Sequence, residues 1–131
     1  MKEIGKYGEY RVLACLLEND IEAYPAIKTN QKDYDITAVL NSSKVVRIQV
    51  KSTQLNNKST NNSIDVEKSY DFLVIVVFID KANTSFYVLT KDEAIKAKGK
   101  NKGLGVSHKK DSRFYVKDNV SRFKDAWDKI H

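Results

Sequence analysis

Residues 3–19 place apolar side chains at helical spacing. At 100° per residue, Val12, Leu13, Leu16 and Leu17 fall on one side and Arg11, Ala14 and Glu18 on the other. Glu9 sits among Val12, Leu13 and Leu16, where a carboxylate is costly unless something pairs with it. Asn19-Asp20 ends the helix. Residues 21–28 read as an extended strand with Pro25, the single proline, at or near its edge. Two β-rich runs follow, 34–40 and 44–51, joined by the polar turn Asn41-Ser42-Ser43. In the second run Val46, Ile48 and Val50 share one face, and Arg47, Gln49 and Lys51 the other.

Residues 52–63, polar apart from Leu55, read as a mobile loop. Phe72 to Ile79 is apolar without alternation, the pattern of a central strand covered on both faces. Ser85 to Leu89 pairs with it across a turn at Asp80–Thr84. Thr90 and Glu93 form a Thr-x-x-Glu capping box that opens a short helix. Residues 98–112, with Gly99, Gly103, Gly105 and five lysines, read as a basic loop. A last helix starts near Asp118 or Asn119 and carries Val120, Phe123, Trp127 and Ile130 at helical spacing. The predicted order is α-β-β-β-β-β-α-α, without internal repeats: an α/β sheet with helices packed on it.

A length of 131 residues predicts one domain. The longest apolar run is far too short to cross a bilayer as a helix, and nothing resembles a signal peptide. One cysteine, Cys15, excludes an internal disulfide framework, and a reducing, cytoplasmic setting is expected. With no Cys/His spacing around Cys15, a zinc site is unsupported. Charge is one-sided. Residues 1–90 hold 11 Lys/Arg and 11 Asp/Glu, whereas residues 91–131 hold 12 and 6, the whole of the net +6. Basic side chains gain free energy by displacing counterions from phosphates, so this excess suggests a polyanion; a solvated lysine-rich surface is the plain alternative. His108 belongs to the same basic stretch, as a surface residue or a phosphate contact.

The candidate chemistry comes from the hairpin and the first helix. Asp35 opens one strand and Gln49-x-Lys51 closes the next, so an antiparallel pairing brings them together. A hard divalent cation takes oxygen ligands: the Asp35 carboxylate, the Gln49 side-chain carbonyl, and Glu9 directly or through water. Lys51 is then an ammonium beside the ion, able to orient a water and offset charge building on phosphorus. Asp33, Asp65 and Glu67 read as solvated loop acids, and Phe123 and Trp127 as core.

Gly5-Lys6-Tyr7-Gly8-Glu9, Tyr34-Asp35-Ile36 and Ile48-Gln49-Val50-Lys51-Ser52 resemble the motifs of the PD-(D/E)XK nuclease superfamily. The Gln-x-Lys form resembles the branch with group I intron homing endonucleases and related small bacterial proteins. Archaeal Holliday-junction resolvases share the helix-borne Glu and the hairpin. Tyr34 stands where the name-giving proline would be, and Gln49 replaces an anionic ligand. The resemblance implies a single nuclease-like domain over 1–131, of restriction-endonuclease-like fold, with a mixed central sheet flanked by helices. Its catalytic helix and hairpin would span 3–51 and its basic loop 98–117. It implies Mg²⁺ (or Mn²⁺) held by Glu9, Asp35, Gln49 and the Val50 backbone carbonyl, with Glu9, Asp35, Gln49 and Lys51 catalytic in phosphodiester hydrolysis. DNA would lie along Lys98, Lys100, Lys102, Lys109, Lys110, Arg113 and Lys117. A homodimer or higher assembly is expected by analogy, since two cuts need two sites. A second reading keeps the scaffold without turnover, as a nucleic-acid binder or an immunity- or antitoxin-like protein partner. A third makes the nuclease RNA-directed or structure-specific.

Overall fold

The computed structural model of the chain describes residues 2–26, 33–55, 61–80 and 82–131. Helix α1 (Ile4–Glu18) leads into strands β1 (Glu22–Pro25), β2 (Ile36–Val39) and β3 (Val45–Gln54). Then come β4 (Phe72–Phe78), β5 (Thr84–Thr90) and α2 (Lys91–Lys98). A separate hairpin, β6 (Ser107–Lys110) with β7 (Arg113–Val116), precedes α3 (Asp118–Ser121) and a 3₁₀ turn at Trp127–Lys129.

The five-stranded sheet runs in order β1-β2-β3-β4-β5. It is mixed: β3 and β4 are parallel and the other neighbours antiparallel. Its two faces make two cores. On one, Val12 and Leu16 of α1 pack with Ile36, Ile48, Val50, Val74 and Val76. On the other, Leu73, Ile75, Val77 and Leu89 meet Leu104, Val106 and Val120. The unbroken apolar run of β4 follows from this, since Leu73 to Phe78 are buried whichever way they point. The capping box on α2 forms both of its bonds, Glu93 N–H to Thr90 Oγ1 (3.1 Å) and Thr90 N–H to Glu93 Oε1 (2.9 Å). Among the described residues no helix is long and apolar enough to cross a membrane.

Four expectations need correcting. The buried line of α1 runs through Gly8, Val12 and Leu16, while Leu17 is exposed and Arg11 is half-buried, its guanidinium 5.5 Å from the centre of the Phe86 ring. β3 continues to Gln54, so the polar loop starts later than residue 52; residues 56–60 of that loop lie outside the described residues, as do 27 and 28 of the first strand. The last part of the basic loop, from Ser107 on, is the hairpin β6–β7, turned by Asp111 and Ser112, both at positive φ (51° and 64°), the conformation of a type I′ turn. The last helix stops at Ser121. Beyond it the backbone pairs with the edge of β5, Val88 N–H to the Phe123 carbonyl (3.0 Å) and Asp125 N–H to the Phe86 carbonyl (2.9 Å). An open strand edge offers hydrogen bonds that a second turn of surface helix could not match. Trp127 and Ile130 still reach the first core, and Phe123 packs against the second.

Candidate functional site

β2 ends where it is still needed. Its last pair is Ile36 with Ile48, yet β3 runs on for six residues to Gln54. Asp35 fills the gap at that edge. Its N–H donates to the Ile48 carbonyl (2.9 Å), and its Oδ2 accepts from the Val50 N–H (2.8 Å). In an extended strand the N–H and C=O of one residue point to the same edge. The Val50 carbonyl is therefore turned toward Asp35 as well.

Glu9 reaches this edge because α1 lies unusually close to β3. A Cβ on Gly8 would fall well inside van der Waals contact of Ser52 Oγ and against Val76 Cγ2. Mid-helix glycine costs helix stability, and here it allows the backbone to settle onto the strand. The Glu9 carboxyl hydrogen-bonds the Asp35 carboxyl and titrates at about 7. Burial is the largest cause, followed by the Asp35 charge and the hydrogen bond to it; Lys6 pulls the other way. Two carboxyls held side by side present oxygen donors whose repulsion a cation would relieve.

Gln49 and Lys51 leave β3 on the face opposite α1, beside Leu73 and Ile75 in the parallel register. Gln49 is 5% exposed, and its Oε1 is buried without a hydrogen-bond partner among the described residues. A buried amide oxygen without a partner costs roughly 1–3 kcal/mol, which a bound cation or water would recover. Lys51 is half-buried and close enough to Asp65 to help lower its carboxyl pKa, after the larger effects of the Glu67 backbone N–H and Lys68. So the structure joins Glu9, Asp35 and the Val50 backbone directly, and places Gln49 and Lys51 on the far side of the same strand. Carboxylate, amide and backbone oxygens are the donors a hard divalent cation takes. Among the described residues no group of three or more His, Cys, Asp or Glu is placed to hold a metal. An ion here would lean on two carboxylates, neutral oxygens and water.

The sequence motifs contain Gly8 and Ser52 but give neither a role; among the described residues the Ser52 Oγ is also buried without a hydrogen-bond partner. A glycine directly before the buried acid was the available signal for Gly8. Of the predicted DNA contacts, Lys109, Lys110 and Arg113 are exposed on the hairpin, and Lys100 and Lys102 in the turn after α2. Lys98 is used internally: it pairs with Glu67 (3.4 Å) and bonds the Asn101 carbonyl (2.9 Å). Lys117 is half-buried against Gly105. A cleft bordered by Asp20, Val39, Leu40, Trp127 and Ile130 lies at the other end of β2 and contains none of these residues.

No protein-family model matches the sequence, and no curated protein matches it. Among solved structures, the chain is similar to a bacterial homing endonuclease, I-Ssp6803I, with a TM-score of 0.67 at 17% identity. The match covers 98% of this chain and 90% of that one, so the two chains share a mixed α/β fold over nearly their full length.

Proposed function

We propose that this protein is a divalent-metal-dependent endodeoxyribonuclease of the PD-(D/E)XK type, in its Gln-x-Lys form. One observation carries the reading: the Glu9–Asp35 carboxyl pair, with Asp35 bonded to the Val50 N–H, at an edge of β3 that β2 has vacated. That edge accumulates oxygen donors where a purely structural protein would have continued β2. Glu9, Asp35 and the Val50 carbonyl would hold Mg²⁺ or Mn²⁺, and the Gln49 amide oxygen, buried on the other face of β3, would join them only through water or by turning round the strand edge. The ion would supply Lewis-acid charge at the scissile phosphate.

The chain's own residues do the rest. Lys51 places an ammonium beside the phosphate, where it offsets negative charge developing on the phosphoryl oxygens and holds a water in line. The Asp35–Val50 bond fixes the carboxylate before substrate arrives, which lowers the cost of organising the site. The exposed cations of residues 100–113 supply the sequence-independent hold on the backbone. Cutting both strands of a duplex takes two such sites, so a dimer or higher assembly and a cytoplasmic setting belong to the proposal.

Purified protein with Mg²⁺ or Mn²⁺ is expected to nick or cut plasmid DNA. Asp35→Ala and Lys51→Ala should each lower the rate at least about a hundredfold. If the wild type leaves plasmid, linear, single-stranded and branched DNA intact, the enzymatic reading fails. The second reading, a non-catalytic binder on this fold, is favoured by one feature: neutral Gln49 where an acid would strengthen the hold on a cation. For that binder, affinity falling steeply with salt indicates nucleic acid, and salt-insensitive binding indicates a protein partner.

A further inference from the structure

The ribbon β6–β7 has two unlike faces. Its register pairs Ser107 with Val116, His108 with Tyr115, Lys109 with Phe114 and Lys110 with Arg113. The first and third pairs share the inner face. There Ser107 is fully buried, and Phe114 and Val116 pack against the second core. Lys109 lies 5.6 Å from the centre of the Phe114 ring, so its stem is committed to covering that side chain. The outer face carries His108, Lys110, Arg113 and Tyr115, all exposed. His108 and Tyr115 meet edge to face with centroids 5.7 Å apart, which orders both rings in advance. Among the described residues neither Lys110 nor Arg113 takes part in an ion pair.

The root of the ribbon is tied to β3. Thr53 Oγ1 donates to Asn62 Oδ1 (2.8 Å), and Asn62 Nδ2 donates to Ser107 Oγ (2.6 Å), all three residues being buried. The Val106 and Ser107 N–H groups both donate to the Asn61 carbonyl (2.7 and 3.0 Å). Thr53 follows Lys51 by two residues and therefore shares its face of the strand. The ribbon and Lys51 thus belong to one side of the sheet and are held in fixed relation through a buried polar chain.

We propose that the outer face of this ribbon enters the major groove of duplex DNA, where Arg113 and Lys110 read base edges. The choice of DNA rests on the nuclease reading; the choice of element does not. The B-form major groove, about 12 Å wide, admits a two-stranded β-ribbon, and Arg or Lys paired to guanine O6 and N7 is its commonest specific contact. The major groove of A-form RNA is too deep and narrow for such an element. Arg113 and Lys110 face each other at the tip of the ribbon, in no ion pair among the described residues, with the exposed Asp111 in the turn between them. The ordered His108–Tyr115 pair stands nearer the root, at the height of the groove walls.

The test uses Lys51→Ala protein, which separates binding from cleavage, and a pool of random-sequence duplex DNA from which bound molecules are recovered and sequenced. The pool is expected to converge on a short motif containing guanine. Arg113→Ala should abolish the preference at one position, and the Lys110→Ala/Arg113→Ala pair should weaken binding to the selected duplex at least about tenfold at fixed salt. Duplex RNA of equal length should compete at least about tenfold less well. An unchanged motif and affinity in the double variant, or equal competition by duplex RNA, overturns the ribbon assignment. Wild-type protein that selects a motif sensitive to Arg113 yet never cuts it defeats the nuclease reading alone. Wild-type protein that cuts DNA while the double variant binds unchanged defeats the ribbon alone.

Discussion

The carboxylate edge of β3 and the tip of the β6–β7 ribbon are both charged, and they are built on opposite principles. At the edge, Glu9 lies partly out of water beside the carboxylate of Asp35, and burial and that like charge together push its carboxyl up. At the tip, Lys110 and Arg113 are fully hydrated, and no ion pair among the described residues involves them. The first arrangement stores unfavourable energy that only a specific ligand relieves. The second costs the fold almost nothing and acts at a distance. Protein interiors tolerate a like-charged pair only where surrounding packing enforces it, and Gly8 against Ser52 is that enforcement.

The sharpest way to break this contrast is Gly8→Ala. Its methyl would press on Ser52 Oγ, so a stability loss of about 1–3 kcal/mol is expected, together with lost cleavage as Glu9 is pushed away from Asp35. Ser52→Gly added to Gly8→Ala should restore much of both in chemical denaturation and rate measurements; simple additivity would show that the two residues do not touch. A smaller effect concerns protons. The Glu9 carboxyl is raised from its ordinary 4.5 to about 7, so the folded state holds an extra proton between those values. Its favourable contribution is fully present below pH 4.5 and is lost as the pH rises through about 7. Glu9→Gln should flatten that part of the stability–pH curve. Mn²⁺ should do the reverse of protons: the stabilisation it gives the wild type, read as a rise in melting temperature, should grow from pH 6 to pH 8, reaching about 2.7 kcal/mol when the ion is at a hundred times its Kd. A shift independent of pH would place the ion elsewhere. Smallest of all, Lys110→Ala and Arg113→Ala should leave thermal stability within about 0.5 kcal/mol of wild type, as expected of exposed side chains without partners.

Much of the edge was legible in the sequence because its signals are periodic. Alternation in Val46–Lys51 assigned each β3 residue to a face, the unbroken run at 72–79 identified the central strand, and Thr90 with Glu93 marked the start of α2. Glu9 stood out because it interrupted an apolar stripe, and its contact with Asp35 accounts for the interruption. Less was visible where tertiary contacts overrule local pattern. Leu17 has the chemistry of a core residue, but α1 rests on the narrow line of Gly8, Val12 and Leu16, and a glycine carries no hydrophobic signal. Strands β6 and β7 are four residues each, and their lysines masked the β-rich Phe114-Tyr115-Val116. Phe123, Trp127 and Ile130 kept helical spacing for another reason: the chain crosses the end of the sheet there and drops side chains into both cores.

That crossing also limits how copies of this fold can meet. The Phe86 carbonyl and the Val88 N–H are already bonded to the segment after α3, so an incoming strand meets the middle of β5 occupied on that flank. The opposite flank, β1, is four residues long and ends in a proline that has no N–H to offer. Edge-to-edge growth of the five-stranded sheet thus meets an occupied border on one side and a starved one on the other.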